Sequence, residues 1–252
     1  MPGQDRQNRP PKLSSGRQLA STIVERHAFI EDSPWGRSLG PADIARAAAH
    51  MLVRDVPAGG YVIQKGRPVT DWLGVVDGLV KMSSVSPHGK TITFSGIAPG
   101  GWFGEGSLLK DTHWKYDAIA IRDSRIACVP RAEFMHLLET SIAFNRFLLE
   151  QLNERLSHFI GLVEFDRLLD PDARVARCIA SLFNPRLYPG VRTSLALSQE
   201  EIGYLCALSR QRVNQALRVL SEAKLLTLDY GRITVLDLDG LRRFDRSSSA
   251  RA

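Results

Sequence analysis

Cysteine is scarce in this sequence. Cys128, Cys178 and Cys206 stand far apart and make no Cys-x-x-Cys or other metal-ligand spacing. That argues against a zinc module and against a disulfide framework, and leaves reduced, partly buried thiols in a reducing compartment. Long apolar runs are also missing, and none approaches the ~20 residues that cross a bilayer. The start of the chain, Met1–Leu19, is polar and carries Pro2, Pro10, Pro11, Ser14 and Ser15, unlike the apolar stretch of a secretion signal. A cytoplasmic protein with no membrane partner is expected. His50, His88, His113, His136 and His158 are scattered, so no metal site is assigned. No histidine–carboxylate spacing or nucleophile–base motif is present, and the expectation is a protein that is not an enzyme.

What is present fits a globular chain of two ordinary domains, with 252 residues, 44% of them hydrophobic and 24% charged. The net charge of +6 suits a phosphate polymer or an anionic membrane, and only the placement of the charge decides between them. Residues 1–35 read as a disordered basic arm. Up to position 17, Arg6, Arg9, Lys12 and Arg17 face Asp5 alone. A solvated tail is the first reading of this arm, and a DNA-touching arm the second.

Residues 36–140 read as one domain. Pro41 opens a short alanine-rich helix that runs to about Leu52. Short β-rich runs follow, such as Gly60–Gln64, Trp72–Val76, Leu79–Ser84 and Thr91–Ile97. Pro57-Ala-Gly-Gly60, Asp77-Gly78 and Pro99-Gly-Gly101 separate them. This rhythm predicts an antiparallel β-barrel or sandwich, with Asp77-Gly78 as a hairpin turn.

Residues 141–170 read as a long helix. Ile142, Asn145, Leu149, Leu152, Leu156, Phe159 and Val163 alternate at spacings of three and four, the seam of a two-stranded coiled coil. Leu149, Leu152, Leu156, Phe159 and Val163 are the expected homodimer interface. Phe147, Leu148, Ile160 and Leu162 lie off the seam and suit packing on the barrel. Asp170-Pro171 reads as a hinge, since proline removes a backbone donor and constrains the residue before it.

Residues 171–245 hold the most informative pattern. After a helix at about Asp172–Phe183, Ser198 caps a short helix and Glu201 completes a capping box. Ala207-Leu208 makes a turn, and Ser209 caps a second helix that runs to about Lys224. Ile202, Leu205, Val213, Leu217 and Leu220 form a buried stripe, and Gly203 allows close helix crossing. The pair is a helix-turn-helix. On the second helix Arg210, Gln211, Asn214, Gln215 and Arg218 are left over from the core, and Glu222 is the lone acid from Ser209 to Lys224. Arginine pairs with guanine and asparagine or glutamine with adenine in the major groove, so this face is predicted to read bases. Ser198, Gln199, Ser209 and Arg212 are expected on backbone phosphates. The alternating strands Leu226–Leu236, joined at Tyr230-Gly231, form a wing with Arg232 at its tip.

This order of parts resembles the Crp/Fnr family of bacterial regulators over roughly residues 35–240. The matching residues are Gly101-Trp-Phe-Gly-Glu105, Ala173-Arg-Val-Ala176, Gln199-Glu-Glu-Ile-Gly203 and Ser209-Arg210. The resemblance implies an α+β chain in which a cyclic-nucleotide-binding-like jelly roll, a dimerisation helix and a winged helix-turn-helix follow one another. It implies a homodimer on a palindromic operator of double-stranded DNA, in contact with RNA polymerase. Arg210, Gln211 and Asn214 or Gln215 take the base-reading positions. In cyclic-AMP-binding members a Gly-Glu opens a short helix that cradles the cyclic phosphate, and the Glu binds the ribose. Gly104, Glu105, Gly106 and Ser107 fit that outline. Those members then add an Arg-Ser pair, where this chain has Trp114-Lys115-Tyr116. Lys115 supplies a point charge without the arginine fork. Positions that usually offer hydroxyls to adenine fall near Phe159 and Ile160. The expectation is therefore an effector other than cyclic AMP, with a cyclic-AMP-responsive activator as the alternative. Iron–sulfur sensing needs an N-terminal cysteine cluster, and none precedes Cys128. A barrel enzyme or an oligomerising scaffold would leave the arginine–amide face unexplained.

Overall fold

The computed structural model describes residues 16–85, 88, 91–168, 170–229 and 231–245, with side chains except at 16–22 and 162–168. Eight strands build the first half: β1 (Leu52–Val56), β2 (Tyr61–Ile63), β3 (Asp71–Asp77), β4 (Val80–Val85), β5 (Thr91–Ile97), β6 (Trp102–Phe103), β7 (Asp117–Ala120) and β8 (Ser124–Pro130). They form two antiparallel sheets, ordered β1-β8-β3-β6 and β2-β7-β4-β5. Val75, Val80, Ile97, Phe103, Ala118 and Ile126 meet between them. The sheets pack as a jelly roll of two facing layers that do not close, and the expected fold class holds, on the sandwich side of the barrel-or-sandwich reading. Asp77-Gly78 needs a correction. It is not a hairpin turn, because β3 and β4 belong to different sheets. The chain crosses between layers there. Gly78 has a φ of 102°, and a Cβ at this position would run into Ser124.

The N-terminal expectation also needs correction. Residues 1–15 lie outside the described residues, but α1 (Gly16–Asp32) is helical, and Ile30 and Trp35 are fully buried. Trp35 meets Trp72 at 5.3 Å and Trp102 edge-on at 5.1 Å, while Phe144 closes the same cluster. A few large apolar residues in a polar stretch suffice, because each aromatic ring buries a large apolar area. α2 (Pro41–His50) follows, with proline at its first turn as expected. Arg46 on α2 makes two hydrogen bonds, of 2.8 and 3.0 Å, to the buried Glu133 of α4 (Arg131–Thr140).

α5 (Ile142–Leu168) is the long helix. Its Phe147 and Leu148 are buried in the core that also holds Trp35, Trp72 and Phe134. Ile142, Leu149 and Leu156 are 81%, 69% and 59% exposed within the single chain, and Ile160 is also open rather than packed on the sheets. Leu152 and Phe159 are half-buried. The side chain of Val163 lies outside the described residues. Asn145 turns back, and its amide donates to the carbonyls of Leu138 and Ser141, so it closes the α4–α5 corner.

α6 (Pro171–Leu182) starts one residue earlier than expected, with Asp170 accepting from the backbone of Asp172 and Ala173. α7 (Gln199–Cys206) and α8 (Arg210–Glu222) form the helix pair. β10 (Leu226–Asp229) and β11 (Arg232–Val235) form the wing hairpin. A third strand, β9 (Ser194–Ala196), pairs with β11 and was not foreseen. α9 (Leu238–Arg243) completes the described fold. No described helix is long and apolar enough to cross a membrane.

Candidate nucleic-acid interface and sensor pocket

The helix pair is set by local chemistry. Ser198 Oγ accepts from Glu201 N at 3.2 Å, and Glu201 Oε2 accepts from Ser198 N at 2.7 Å, a full capping box. Ala207 ends α7 at φ 53°, a left-handed conformation, and Leu208 N donates to Gly203 O at 3.1 Å. A Cβ on Gly203 would sit 2.7 Å from the Leu208 carbonyl, so glycine there keeps the turn tight. Ser209 Oγ then caps α8 by accepting from Arg212 N at 3.3 Å.

α8 has two unlike faces. Val213, Ala216, Leu217 and Leu220 are buried. Arg210, Gln211, Gln215 and Arg218 point outward, and at helical spacing they share one stripe with Asn214. Asn214 is half-buried, and its Oδ1 accepts from Gln199 Nε2 at 3.2 Å. Ser198 and Ser209 are exposed and keep hydroxyl protons to donate. Arg232 is exposed on the wing, with Nη1 3.3 Å from Ser194 Oγ.

Arg212 departs from expectation. It turns inward, and its Nη1 lies 2.6 Å from Oδ1 of the fully buried Asp172 on α6. A charge without solvent needs a counter-charge, and Arg212 serves as one. The sequence reading missed Asp172 as its partner.

The second site, the one that fits the cyclic-phosphate outline, is built around Gly104, which precedes α3 (Glu105–Leu109) at a φ of 102°. A Cβ there would meet the Trp114 ring at 2.6 Å, so the buried indole lies over the start of α3. Backbone bonds pin Trp114 in place, from Trp114 N to Arg67 O at 2.9 Å and from Gly66 N to Trp114 O at 2.8 Å. Glu105 is buried, and its Oε1 lies 3.0 Å from Nε of Arg155 on α5. Arg155 also donates to the carbonyl of Trp102. Burial works against the Arg155 charge, but Glu105, Tyr188 and Tyr116 outweigh it and hold its pKa above the ordinary arginine value. Burial, with Glu105 beside it, pushes the Tyr116 phenol far up, so it stays neutral. Ser107 is buried, Gly106 faces open space and Lys115 is exposed. Arg155 and Tyr188 were not singled out from sequence, and Trp114 stood out only as part of Trp114-Lys115-Tyr116. Arg155 lies 50 positions beyond Glu105, and nothing local announces such a pairing.

A jelly roll of two facing sheets, a long helix and a winged helix-turn-helix define a class of two-domain DNA-binding regulators. Residues 53–141 match the cyclic nucleotide-binding domain family and residues 173–244 match the Crp-like helix-turn-helix domain family. The chain belongs to the Crp/Fnr family of transcription regulators. It is 25% identical over 208 residues to the cyclic AMP receptor protein of Thermus thermophilus, covering 82% of this chain and 94% of that one. It is 28% identical over 173 residues to the transcriptional regulator LdrP of the same species, covering 66% and 83%. The fold is shared with FixK2 from Bradyrhizobium japonicum at a TM-score of 0.63 and 20% identity, covering 77% and 97%.

Proposed function

We propose that the protein is a cytoplasmic, sequence-specific transcription regulator that binds a palindromic operator as a homodimer and answers to an effector other than cyclic AMP. The observation that carries the reading is the outer face of α8. Arg210, Gln211, Gln215 and Arg218 stand exposed over a fully apolar inner face, and among the described residues none of these four side chains has a hydrogen bond or ion pair. Such a face is complementary to the base edges of a major groove. The exposed Leu149 and Leu156 support pairing of two α5 helices, because a lone soluble helix gains nothing from a row of leucines in water. The family supports RNA polymerase as a further partner.

The effector reading draws on the surroundings of Gly104. A cyclic phosphate at the start of α3 would need the space over Gly104, where the Trp114 ring lies. A ribose hydroxyl would need Glu105, whose Oε1 pairs with Arg155 while Oε2 has no hydrogen bond among the described residues. The Trp114 ring supports an effector other than cyclic AMP. The competing reading, a cyclic-AMP-responsive activator, draws on the name of the Thermus relative and on the matched domain family.

Selection of bound sites from random DNA tests the proposal. The expected outcome is a two-fold symmetric motif, with affinity falling steeply as salt rises. On that motif Arg210→Ala should cost about 1–3 kcal/mol and relax preference at one position. Equal binding of cognate and random DNA by parent and variant would remove Arg210 from the interface. Calorimetry with cyclic AMP separates the two effector readings, since tight binding favours the second.

A further inference from the structure

The hinge at Asp170-Pro171 would let the helix-turn-helix unit swing, but the fold holds it by contacts far from the hinge. The loop between α6 and β9 enters the sensor half. Tyr188 is buried there, and its hydroxyl donates to Gly96 O at 2.8 Å. A Cβ on Gly101 would lie 2.7 Å from the Tyr188 ring, and one on Gly190 would lie 2.7 Å from Pro99 O, so both loops need glycine to mesh. α5 grips the same loop from another side. Gln151 Nε2 donates to Arg186 O at 3.0 Å, and Asn184 Nδ2 donates to Glu154 Oε1 at 2.8 Å.

A second grip lies on α7. Arg122, just after β7, donates through Nε to Glu201 Oε1 at 2.7 Å and through Nη2 to Ala196 O at 2.6 Å. Glu201 is the acid of the capping box, so Arg122 holds the start of α7 itself. Lys81 of β4 lies over the Tyr204 ring, 5.0 Å from its centre. Between the two grips, a Cβ on Gly96 would meet Leu182 of α6 at 2.8 Å and Leu205 of α7 at 3.1 Å.

We propose that Tyr188 and Arg122 clamp the helix-turn-helix unit onto the sensor and so set the position of α8 relative to α5, which fixes the half-site spacing that the regulator accepts. This rests on the two-fold DNA-binding reading above. In a dimer joined along α5, the two α8 helices must enter major grooves about one helical turn of DNA, ~34 Å, apart. A unit free on its hinge sees the second half-site at a low effective concentration. A clamped unit sees it at a high one, provided that the spacing matches. Neither residue touches DNA in this account. Both are positioning residues that act through α7 and α8.

The test uses the full chain and its selected operator. Anisotropy would be measured on the two-half-site duplex, on versions with one or two base pairs inserted between the halves, and on a single half-site. The parent should discriminate sharply among spacings. Arg122→Ala combined with Tyr188→Phe should lose roughly tenfold on the native spacing and bind the inserted versions nearly as well. Binding to the single half-site should stay within about twofold, which also reports a folded reader. Unchanged spacing discrimination in the variant would overturn the clamp. So would an equal loss on single and double sites, because the residues would then maintain the reader's fold and not its position. If the parent itself fails to prefer any two-half-site duplex over random DNA, the DNA-binding reading fails instead.

Discussion

The pocket beside Gly104 and the outer face of α8 each gather arginine with hydrogen-bonding groups, yet the fold treats them in opposite ways. In the pocket Arg155 is enclosed and held by Glu105 and the Trp102 carbonyl. On α8, Arg210 and Arg218 stand in water with no partner in the chain among the described residues. An enclosed charge needs its counter-charge, whereas an exposed one stays solvated at little cost. The first cluster pairs its charges inside the fold, with Glu105 Oε2 left without a hydrogen bond among the described residues, and the second is left open to a partner. Arg212 marks the border between the two modes. It lies on α8 among residues that face outward, but its guanidinium reaches the buried Asp172.

Four substitutions, one of them read against pH, probe that contrast. The largest effect is expected inside the pocket. Arg155→Met leaves Glu105 buried beside an apolar side chain and should lower unfolding stability by about 3–5 kcal/mol in urea melts. A loss of a few tenths would mean that water reaches the carboxylate. A middle effect divides α8 itself. Arg212→Ala should destabilise by about 1–3 kcal/mol through Asp172. Arg218→Ala should leave stability within about 0.5 kcal/mol. It should instead lower the slope of log affinity against log salt by about 1. If both variants changed stability alike, the border drawn at Arg212 would be misplaced.

The smallest effect concerns pH. His158 sits between α5 and β5, its Nε2 3.3 Å from Ser95 Oγ. Burial, then the nearby Arg155, lowers its pKa below the ordinary 6.5, while Glu154 works the other way. The fold thus favours the neutral imidazole, and the unfolded chain binds more protons. Stability should be full above about pH 6.5 and decline as pH falls below that value. His158→Gln should flatten this part of the profile. An unaltered slope in that variant would assign it to other groups.

Much of the helix-turn-helix was legible because its signals are local. Ser198 with Glu201, Ser209, Gly203 and the stripe of Val213, Leu217 and Leu220 all act within a few residues of one another. The long helix was equally plain from its apolar spacing. Distant partners were not legible. Asp77-Gly78 has the composition of a hairpin turn, but strand pairing across the sheets sends the chain to the opposite layer. Strand β9 is three residues long and has no periodicity to read. Trp35 lies in a segment whose average polarity hides it, and only the aromatic pocket of Trp72, Trp102 and Phe144 explains its burial.

The sequence by itself determined the helix caps, the turn at Ala207, the amphipathic faces of α6 and α8 and the placement of arginine and amide groups on one stripe. These depend on neighbours three or four residues away, which the chain order supplies. Only the tertiary structure decided that Arg155 meets Glu105, that Trp114 covers Gly104, that Arg212 faces inward and that Tyr188 seats the reader on the sensor. Each of those contacts joins groups brought close by sheet pairing and helix docking, and their energies depend on a burial that no single segment of the chain can create.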